Sequence, residues 1–345
     1  MIPIQNIYYM LSYAFQVLNE QGYKNIATEQ FNNTGELMAA ILEKGIAIQI
    51  KRGLGKEYIP QTEALSSLRG KIDIAESIKT QSMLRKQLIC TYDEFSVNSI
   101  MNRIIKSTVE LLLRSNISKQ RKKNLRKLMV YFSEVDFIDL YTVNWNVQYN
   151  RNNQTYRMLI SICYLVVKGL LQTQSNGHTK LMDFLDEQRM CRLYEKFILE
   201  YYRREFKNQI TANASQIPWQ LDNEENSMLP VMQSDIMLQS GEKVLIIDAK
   251  YYEHSTQVQF DKHTLHSGNL YQIFTYVKNK EYELREKDHT VSGMLLYAKT
   301  DEEIYPNNVY QMSGNQIAVR TLDLNLPFDE IASQLNTIAK THFDL

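Results

Sequence analysis

The chain has 345 residues, of which 44% are hydrophobic and 23% charged, and its 39 basic and 39 acidic side chains leave no net charge at pH 7. This composition is typical of a globular protein with an apolar core, and it excludes a disordered, collagen-like or repeat-array chain. A free-standing DNA-binding protein is often strongly basic. Neutrality therefore favours a protein that a partner delivers to its target.

Cysteine spacing and hydropathy indicate the compartment. Cys90, Cys163 and Cys191 are far apart and form no CxxC pair, so we expect neither a zinc site nor a disulfide framework. Free thiols are typical of a reducing cytoplasm. The first residues lack the basic region and cleavage site of a signal peptide, and no uncharged apolar run reaches the roughly 18–20 residues of a membrane span. We expect a cytoplasmic protein with no membrane contact.

The first part of the chain is predicted to be largely helical with some strand. Its apolar residues recur at steps of three and four. The predicted helices cover 6–20 with Asn6 as N-cap, about 35–50, 97–115, and 155–173. A turn and short strand are predicted around LRGKID, and 135–150 is predicted to be partly extended because it is rich in β-branched and aromatic residues. We expect an α+β domain over 1–150.

The second part, 151–345, is predicted to be an α/β domain. It begins with a long helix at 181–207. Two strand-like segments, VMQSDIMLQ and KVLIIDAKYY, flank the turn residues SGE, which is typical of a β-hairpin. A helix at 265–280 and a strand at 291–299 follow, and the tail over 305–345 receives no assignment.

The hairpin carries the residues with the clearest chemical potential. Asp235 lies in its first strand, and Asp248 and Lys250 lie in its second. Two carboxylates held close together repel unless a cation lies between them, and hard oxygen ligands with open positions suit Mg²⁺. Because side chains alternate along a strand, Lys250 shares a face with Asp248, where it could assist the attacking water or neutralise developing charge. A plain surface hairpin remains the alternative from spacing alone.

Flanking helices strengthen the catalytic interpretation. Glu195 lies among apolar residues on the long helix, and Gln272 and Tyr276 share one face of the later helix. A helical acid, two strand acids with a lysine, and then Q-x-x-x-Y follow the order of the PD-(D/E)XK nucleases, which the chain resembles over about 180–300.

A second resemblance covers roughly 1–300. The segments IQNIYYMLSYAF, KRGL followed by Tyr58, LRGKID and DEFSVNSIMNRIIK resemble the McrC family, the nuclease subunits of McrBC-type, modification-dependent restriction systems. The resemblance implies a PD-(D/E)XK endonuclease domain with a mixed central sheet. Asp235, Asp248 and Glu195 would bind Mg²⁺, Lys250 would assist catalysis, and Gln272 and Tyr276 would support DNA or the active centre.

The resemblance also implies partners. Besides double-stranded DNA, the N-terminal domain would dock on a hexameric McrB-like AAA+ GTPase and stimulate it, and that partner would recognise methylated cytosine. RGLGK at 52–56 lacks the spacing of a phosphate-binding loop, so GTP would be bound by the partner. One departure is Ser234, which stands where the nuclease motif usually has proline before the first aspartate.

Three interpretations remain open from the sequence. The chain is the nuclease subunit of a system reading methylated cytosine, the nuclease subunit of a system reading unmodified sites, or a non-catalytic activator of a motor NTPase.

A further open point is the basic run Lys119–Lys127. It is either a solvated helix face or an electrostatic contact with DNA phosphates or an acidic partner surface.

Overall fold

The computed structural model describes residues 2–15, 33–151, 153–175, 187–223, 228–252, 257–259, 262–299 and 305–345, with residues 18, 23, 26, 29 and 31. Its helices are α1 (Ile4–Ala14), α2 (Thr34–Arg52), α3 (Ile74–Lys79), α4 (Ile100–Arg114), α5 (Lys119–Met129), α6 (Tyr156–Ser175), α7 (Glu187–Glu205), α8 (Ser267–Glu283) and α9 (Phe328–Phe343). Its strands are β1 (Glu57–Leu65), β2 (Lys71–Asp73), β3 (Leu88–Ser96), β4 (Thr211–Asn213), β5 (Gln216–Ile217), β6 (Met232–Gln233), β7 (Ile236–Ser240), β8 (Lys243–Lys250), β9 (Gln257–Gln259), β10 (Lys262–Thr264), β11 (Thr290–Ala298), β12 (Asn308–Met312) and β13 (Asn315–Leu322). None of the helices in these ranges has the length and apolarity to cross a bilayer.

The chain divides into two compact units. The helical unit is Gln21–Phe184, and the sheet unit combines Met1–Glu20 with Leu185–Leu345. These limits differ from the predicted division at residue 150. Helix α6 belongs to the helical unit, where the Tyr156 hydroxyl donates a hydrogen bond to Asn102 Oδ1 at 2.7 Å. Helix α1 belongs to the sheet unit, although it lies at the opposite end of the sequence.

Helix α1 joins the sheet unit through polar and aromatic contacts. Asn6 is not the predicted N-cap, because the helix already begins at Ile4. Its buried side chain instead donates hydrogen bonds to the carbonyls of Leu324 and Leu326, each at 2.8 Å. The ring of Tyr9 stacks on Phe328 with centroids 4.4 Å apart. The apolar periodicity of 6–20 therefore reflects packing inside this unit, and the described helix ends at Ala14.

Helices α2, α4 and α6 contact one another in the helical unit. The side chain of Asn33 caps α2 by accepting the Glu36 N–H at 2.8 Å. A Cβ on Gly45 of α2 would lie 2.5 Å from the Leu159 side chain of α6, so glycine permits this close approach. The predicted helices near 35–50, 97–115 and 155–173 are thus present. Residues 135–150 contain turns and irregular backbone without a strand, and Trp145 packs on Tyr164 of α6.

A three-stranded antiparallel sheet accounts for the strand content of the helical unit. Its order is β1-β3-β2, and β1 pairs with β3 from Glu57 opposite Ser96 to Leu65 opposite Leu88. The LRGKID segment forms β2, as predicted, and continues directly into α3. The helical unit is therefore α+β, as predicted for the first part of the chain.

A six-stranded sheet organises the sheet unit, in the order β12-β13-β11-β8-β7-β4. Strands β7 and β8 form the predicted hairpin, whose turn places Gly241 at a φ of 56°, a left-handed conformation that glycine adopts readily. Strand β8 pairs in parallel with β11, and β11 in parallel with β13. The sheet is mixed, as expected for the α/β part. The unassigned tail supplies β12, β13 and α9.

One face of this sheet packs against α8. Alternate residues of β8 and β11, including Ile246 and Leu295, form an apolar cluster with Ile273 and Val277 of α8. A Cβ on Gly293 of β11 would lie 2.8 Å from both Ile273 and Val277. Glycine at this point therefore lets the helix lie close to the sheet and fixes the position of the side chains that α8 carries.

Candidate active site

The β7–β8 hairpin brings the predicted acids to one end of the central sheet. Ile236 pairs with Ile247, so Asp235, one residue beyond that pair, lies opposite Asp248. The Oδ2 atom of Asp235 accepts the backbone N–H of Ala249 at 2.9 Å. This hydrogen bond ties the first acid to the strand that carries the second acid and the lysine.

Asp248 is the most deeply buried of the predicted site residues, with 1% of its surface exposed. Its Oδ2 atom lies 2.8 Å from the Lys250 ammonium. Its Oδ1 atom is buried and has no hydrogen-bond partner among the described residues. Buried carboxylates are normally paired or bound to a cation. One oxygen of Asp248 is therefore available to a ligand that the protein itself does not supply.

Lys250 lies on the same strand face as Asp248, as predicted. Burial alone would lower its pKa, but the neighbouring carboxylates of Asp248 and Asp235 raise the pKa of Lys250 above its ordinary value. Its ammonium also donates to Gln272 Oε1 at 3.3 Å, and Gln272 Nε2 donates to the Tyr276 hydroxyl at 3.0 Å. The lysine, glutamine and tyrosine singled out in the sequence thus form one hydrogen-bonded chain.

The charge balance differs at Asp235. Burial, followed by the negative charges of Asp248 and Glu195, raises the pKa of Asp235 to about 8. The charge of Lys250 and the Ala249 N–H act in the opposite direction but do not offset this increase. Without an added cation, the site therefore favours a protonated Asp235, whereas a bound cation would favour its carboxylate form.

Glu195 lies on α7 and acts on Asp235 through its charge. The thiol of Cys191, one turn earlier on the same helix, lies 3.0 Å from Glu195 Oε1 and 4.0 Å from the Ala249 carbonyl. Burial and the neighbouring Glu195 raise the pKa of Cys191 to about 12, so the thiol stays protonated and donates to the carboxylate. This contact was not predicted from the sequence, although the i, i+4 spacing of Cys191 and Glu195 is compatible with it.

Three polar residues beside the lysine were also not predicted. Tyr297 of β11 is directly paired with Lys250 of β8. Its hydroxyl accepts a hydrogen bond from Asn269 Nδ2 at 2.9 Å, and the Tyr252 hydroxyl donates to Asn269 Oδ1 at 3.3 Å. Asn269 precedes Gln272 by three residues on α8, a spacing that could have placed both on one helix face. The pairing with Tyr297 depends on the parallel register of the sheet.

Ser234 fixes the backbone before Asp235 in place of the usual proline. Its N–H donates to the Ser215 carbonyl at 3.0 Å. Its hydroxyl donates to the same carbonyl at 3.2 Å and accepts the Ser215 N–H at 3.3 Å. Proline could make none of these hydrogen bonds, because it has neither a backbone N–H nor a hydroxyl. The departure from the motif thus replaces a fixed torsion by a local hydrogen-bond network.

The donor set fits a hard divalent cation with few protein ligands. The described residues include no ready-made group of three or more His, Cys, Asp or Glu side chains that could hold a metal ion. Mg²⁺ does not require one, because it usually binds through one or two carboxylates and completes its shell with water and substrate phosphates. Asp235 and Asp248, with the unpartnered Oδ1 of Asp248, meet that requirement.

Comparisons with known proteins assign the chain to a family. A protein of Escherichia coli (strain K12), the type IV methyl-directed restriction enzyme EcoKMcrBC, is 30% identical over 340 residues, which cover 97% of this chain and 96% of the relative. A refined half-complex from a tetradecameric assembly of Thermococcus gammatolerans McrB AAA+ hexamers with bound McrC is a structural neighbour with 18% identity and a TM-score of 0.48, over 97% of this chain and 76% of that one. The Thermococcus gammatolerans McrBC complex is another, with 21% identity and a TM-score of 0.41, over 59% of each chain. The family profile described as McrBC 5-methylcytosine restriction system component matches residues 5–298, and the chain belongs to that family.

Proposed function

We propose that the chain is the DNA endonuclease subunit of an McrBC-type restriction complex and cleaves phosphodiester bonds with Mg²⁺. The observation that carries this proposal is the buried Asp248, whose Oδ2 pairs with Lys250 while its Oδ1 has no described partner. In a purely structural ion pair, both buried carboxylate oxygens are usually hydrogen-bonded. Membership of a restriction-system family makes DNA the expected substrate.

Asp235 and Asp248 would hold the cation, with Glu195 contributing negative charge from α7. When bound, Mg²⁺ would polarise the scissile phosphate and lower the pKa of a coordinated water. Asp235 immediately precedes β7 and Asp248 lies on the paired strand β8, so the metal position would be fixed by the sheet. The raised pKa of Asp235 implies that metal binding releases a proton when the pH is below about 8.

Lys250 would stabilise the negative charge that develops on the phosphate, because its raised pKa keeps the ammonium charged at neutral pH. Gln272 holds the ammonium through its carbonyl oxygen, and Tyr276 in turn accepts from the Gln272 amide. These two residues would act as positioning residues that hold the lysine toward the reacting phosphate.

The helical unit would dock on a hexameric AAA+ GTPase, the McrB-like partner, and stimulate it. Several large apolar side chains of this unit are exposed, including Tyr58 at 72% and its strand neighbour Phe95. Ile74, Ile78 and Leu84, on α3 and in the turn that follows it, are also exposed. Exposed apolar surface of this kind is typical of protein interaction sites. The partner would bind GTP and recognise methylated cytosine.

Two alternatives make different predictions. A nuclease subunit that serves a complex reading unmodified sites would have the same active site, and only the partner would differ. A non-catalytic activator would have no need for a buried carboxylate with an unpartnered oxygen, because unsatisfied buried charge is costly. The intact Asp235, Asp248 and Lys250 therefore favour catalysis over activation alone.

The test is cleavage of methylated and unmethylated plasmid with Mg²⁺, GTP and the AAA+ protein encoded beside this chain. We expect the natural protein to cut methylated DNA. The near-isosteric Asp248→Asn variant should cut roughly 10²-fold more slowly or worse, because several kcal/mol of charge stabilisation is lost. Calorimetric titration of Mg²⁺ provides a readout besides cleavage, in which Asp248→Asn should bind the ion more weakly.

Stimulation of the partner's GTP hydrolysis is the matched control, and it should survive in Asp248→Asn. Equal cleavage by both proteins would place the nuclease elsewhere. Stimulated GTP hydrolysis without cleavage by either protein would support the activator. Cleavage of unmethylated plasmid would support the second nuclease alternative.

A further inference from the structure

Helix α5 of the helical unit is the most basic segment of a chain with no net charge. Its eleven residues, KQRKKNLRKLM, contain six cations and no acid. Sequence alone leaves open whether these charges are a solvated face, a DNA contact or a protein contact. The structure separates the one cation used for folding from the five that are not.

Arg121 is the cation used for folding. Its guanidinium makes ion pairs with Glu29 at 2.8 Å, Glu36 at 3.4 Å and Glu43 at 2.8 Å. Asn124, on the same face of α5, donates to Glu43 at 2.9 Å. The acids available on this side are thus engaged by one arginine and one asparagine, and α5 is held in a single rotation about its axis.

The remaining cations lie on the side of α5 that faces away from Arg121 and its acidic partners. Lys119, Lys123, Arg126 and Lys127 are exposed and Lys122 is half-buried, and none of the five forms an ion pair with a carboxylate in the described part of the chain. Their spacing of three and four residues places them in one stripe along the helix. At about 1.5 Å per residue, the stripe is roughly 12 Å long.

We propose that this stripe, defined by Lys119, Lys122, Lys123, Arg126 and Lys127, binds the phosphate backbone of duplex DNA. The inference rests on the proposed function, in which DNA is the substrate. Phosphates repeat about every 3.4 Å of helix axis along one strand, so a 12 Å stripe reaches about three of them. Phosphate contacts position a protein on DNA without reading its sequence.

The side chains between the cations favour DNA over an acidic protein surface. Leu125 is fully buried, and Asn124 is bonded to Gln120 and Glu43, so residues 119–127 expose no large apolar side chain. Stable protein interfaces are usually anchored by aromatic or aliphatic side chains. Uniform positive charge is instead typical of a surface for a polyanion, and the exposed Val130 and Tyr131 lie beyond the last cation of the stripe.

The test measures the salt dependence of duplex binding by the full chain. A fluorescent 30-base-pair duplex is titrated in EDTA, which prevents cleavage, at salt concentrations between 50 and 200 mM. The variant carries Lys123→Gln, Arg126→Gln and Lys127→Gln. Loss of three phosphate contacts should reduce the slope of log K against log salt by about 2.7. The affinity of the natural protein should therefore fall about forty-fold more across this range than that of the variant.

The matched control removes the same charge elsewhere in the helical unit, through Lys71→Gln, Arg85→Gln and Lys86→Gln at exposed positions. Its slope should match that of the natural protein.

An equal loss of slope in both variants would mean that only net charge matters and would overturn the proposal. An unchanged slope in the α5 variant, or no measurable DNA binding by the natural chain, would also overturn it. An unchanged slope with lost association with the AAA+ partner would assign the stripe to a protein. The nuclease proposal is judged separately, by cleavage in Asp248→Asn.

Discussion

The ion pair of Asp248 and Lys250 is the feature on which both stability and the proposed chemistry depend. Asp248 is nearly inaccessible, and the Lys250 side chain is 14% exposed. Such a pair need not stabilise the fold more than two apolar residues would, because the cost of desolvating the charges opposes their attraction. Removing one partner is costly, however, because the other charge stays buried and uncompensated.

Lys250→Met should therefore lower both stability and activity. We expect a loss of about 3 kcal/mol in the free energy of unfolding, measured by urea denaturation, and a fall of roughly 10²-fold in the cleavage rate. The double variant Asp248→Asn, Lys250→Met should recover much of the stability and none of the activity. A double variant as unstable as Lys250→Met would contradict the ion-pair explanation.

The raised pKa of Asp235 predicts that the stability of the metal-free protein depends on pH. Because its folded-state pKa of about 8 lies above the ordinary value of 3.8, its contribution to stability is complete below about pH 4 and is lost as the pH rises toward 8. In EDTA, the melting temperature of Asp235→Asn should therefore rise relative to that of the natural protein as the pH increases from 5 to 8.5. With Mg²⁺ at pH 8.5, the natural protein should have the higher melting temperature. A difference between the two proteins that does not vary with pH would refute the shifted pKa.

At the scale of elements, the contact of α8 with β11 aligns the site. Helix α8 carries Asn269, Gln272 and Tyr276, and β8 carries Asp248 and Lys250. The close approach of α8 at Gly293 makes this alignment possible, since any Cβ there would collide with Ile273 and Val277. The positions of Gln272 and Tyr276 therefore depend on Gly293, which is not itself one of the site residues.

Gly293→Ala should destabilise the protein by about 1–3 kcal/mol through overpacking. It should also slow cleavage, because the helix must move away from β8. Gly268→Ala is the matched control, since a Cβ at this position in the first turn of α8 meets nothing within 4 Å. Gly268→Ala should leave the stability of the protein unchanged or raise it slightly, because alanine favours the helical conformation more than glycine does. Both melting temperature and cleavage rate are measured, and equal effects of the two substitutions would contradict the packing argument.

For the whole molecule, the two ends of the chain belong to one unit. Helix α1 packs on α7 and on the start of α9 through the rings of Tyr9, Tyr13, Phe197 and Phe328. A fragment that begins at residue 185 lacks this cover, although it contains the whole central sheet.

We expect the fragment 185–345 to melt at a lower temperature than the sheet unit of the full chain. A synthetic peptide of residues 2–15, added in excess, should raise its melting temperature by mass action. The same peptide with Asn6→Ala should be less effective, because the carbonyls of Leu324 and Leu326 lose their donor. A fragment whose melting temperature does not respond to the peptide would contradict this account of α1.

The sequence by itself determined the local elements and the candidate site. Apolar periodicity is a local property, so α2, α4 and α6 and the β7–β8 hairpin were predictable, and period two placed Lys250 on the face of Asp248. The tertiary structure alone decided the limits of the units, the inclusion of β12 and β13 in the central sheet, the placement of α9 in the same unit, and the alignment of Tyr297 with Lys250. These features depend on contacts between residues distant in sequence, as the bond from Asn6 to Leu324 illustrates, and no local pattern encodes them.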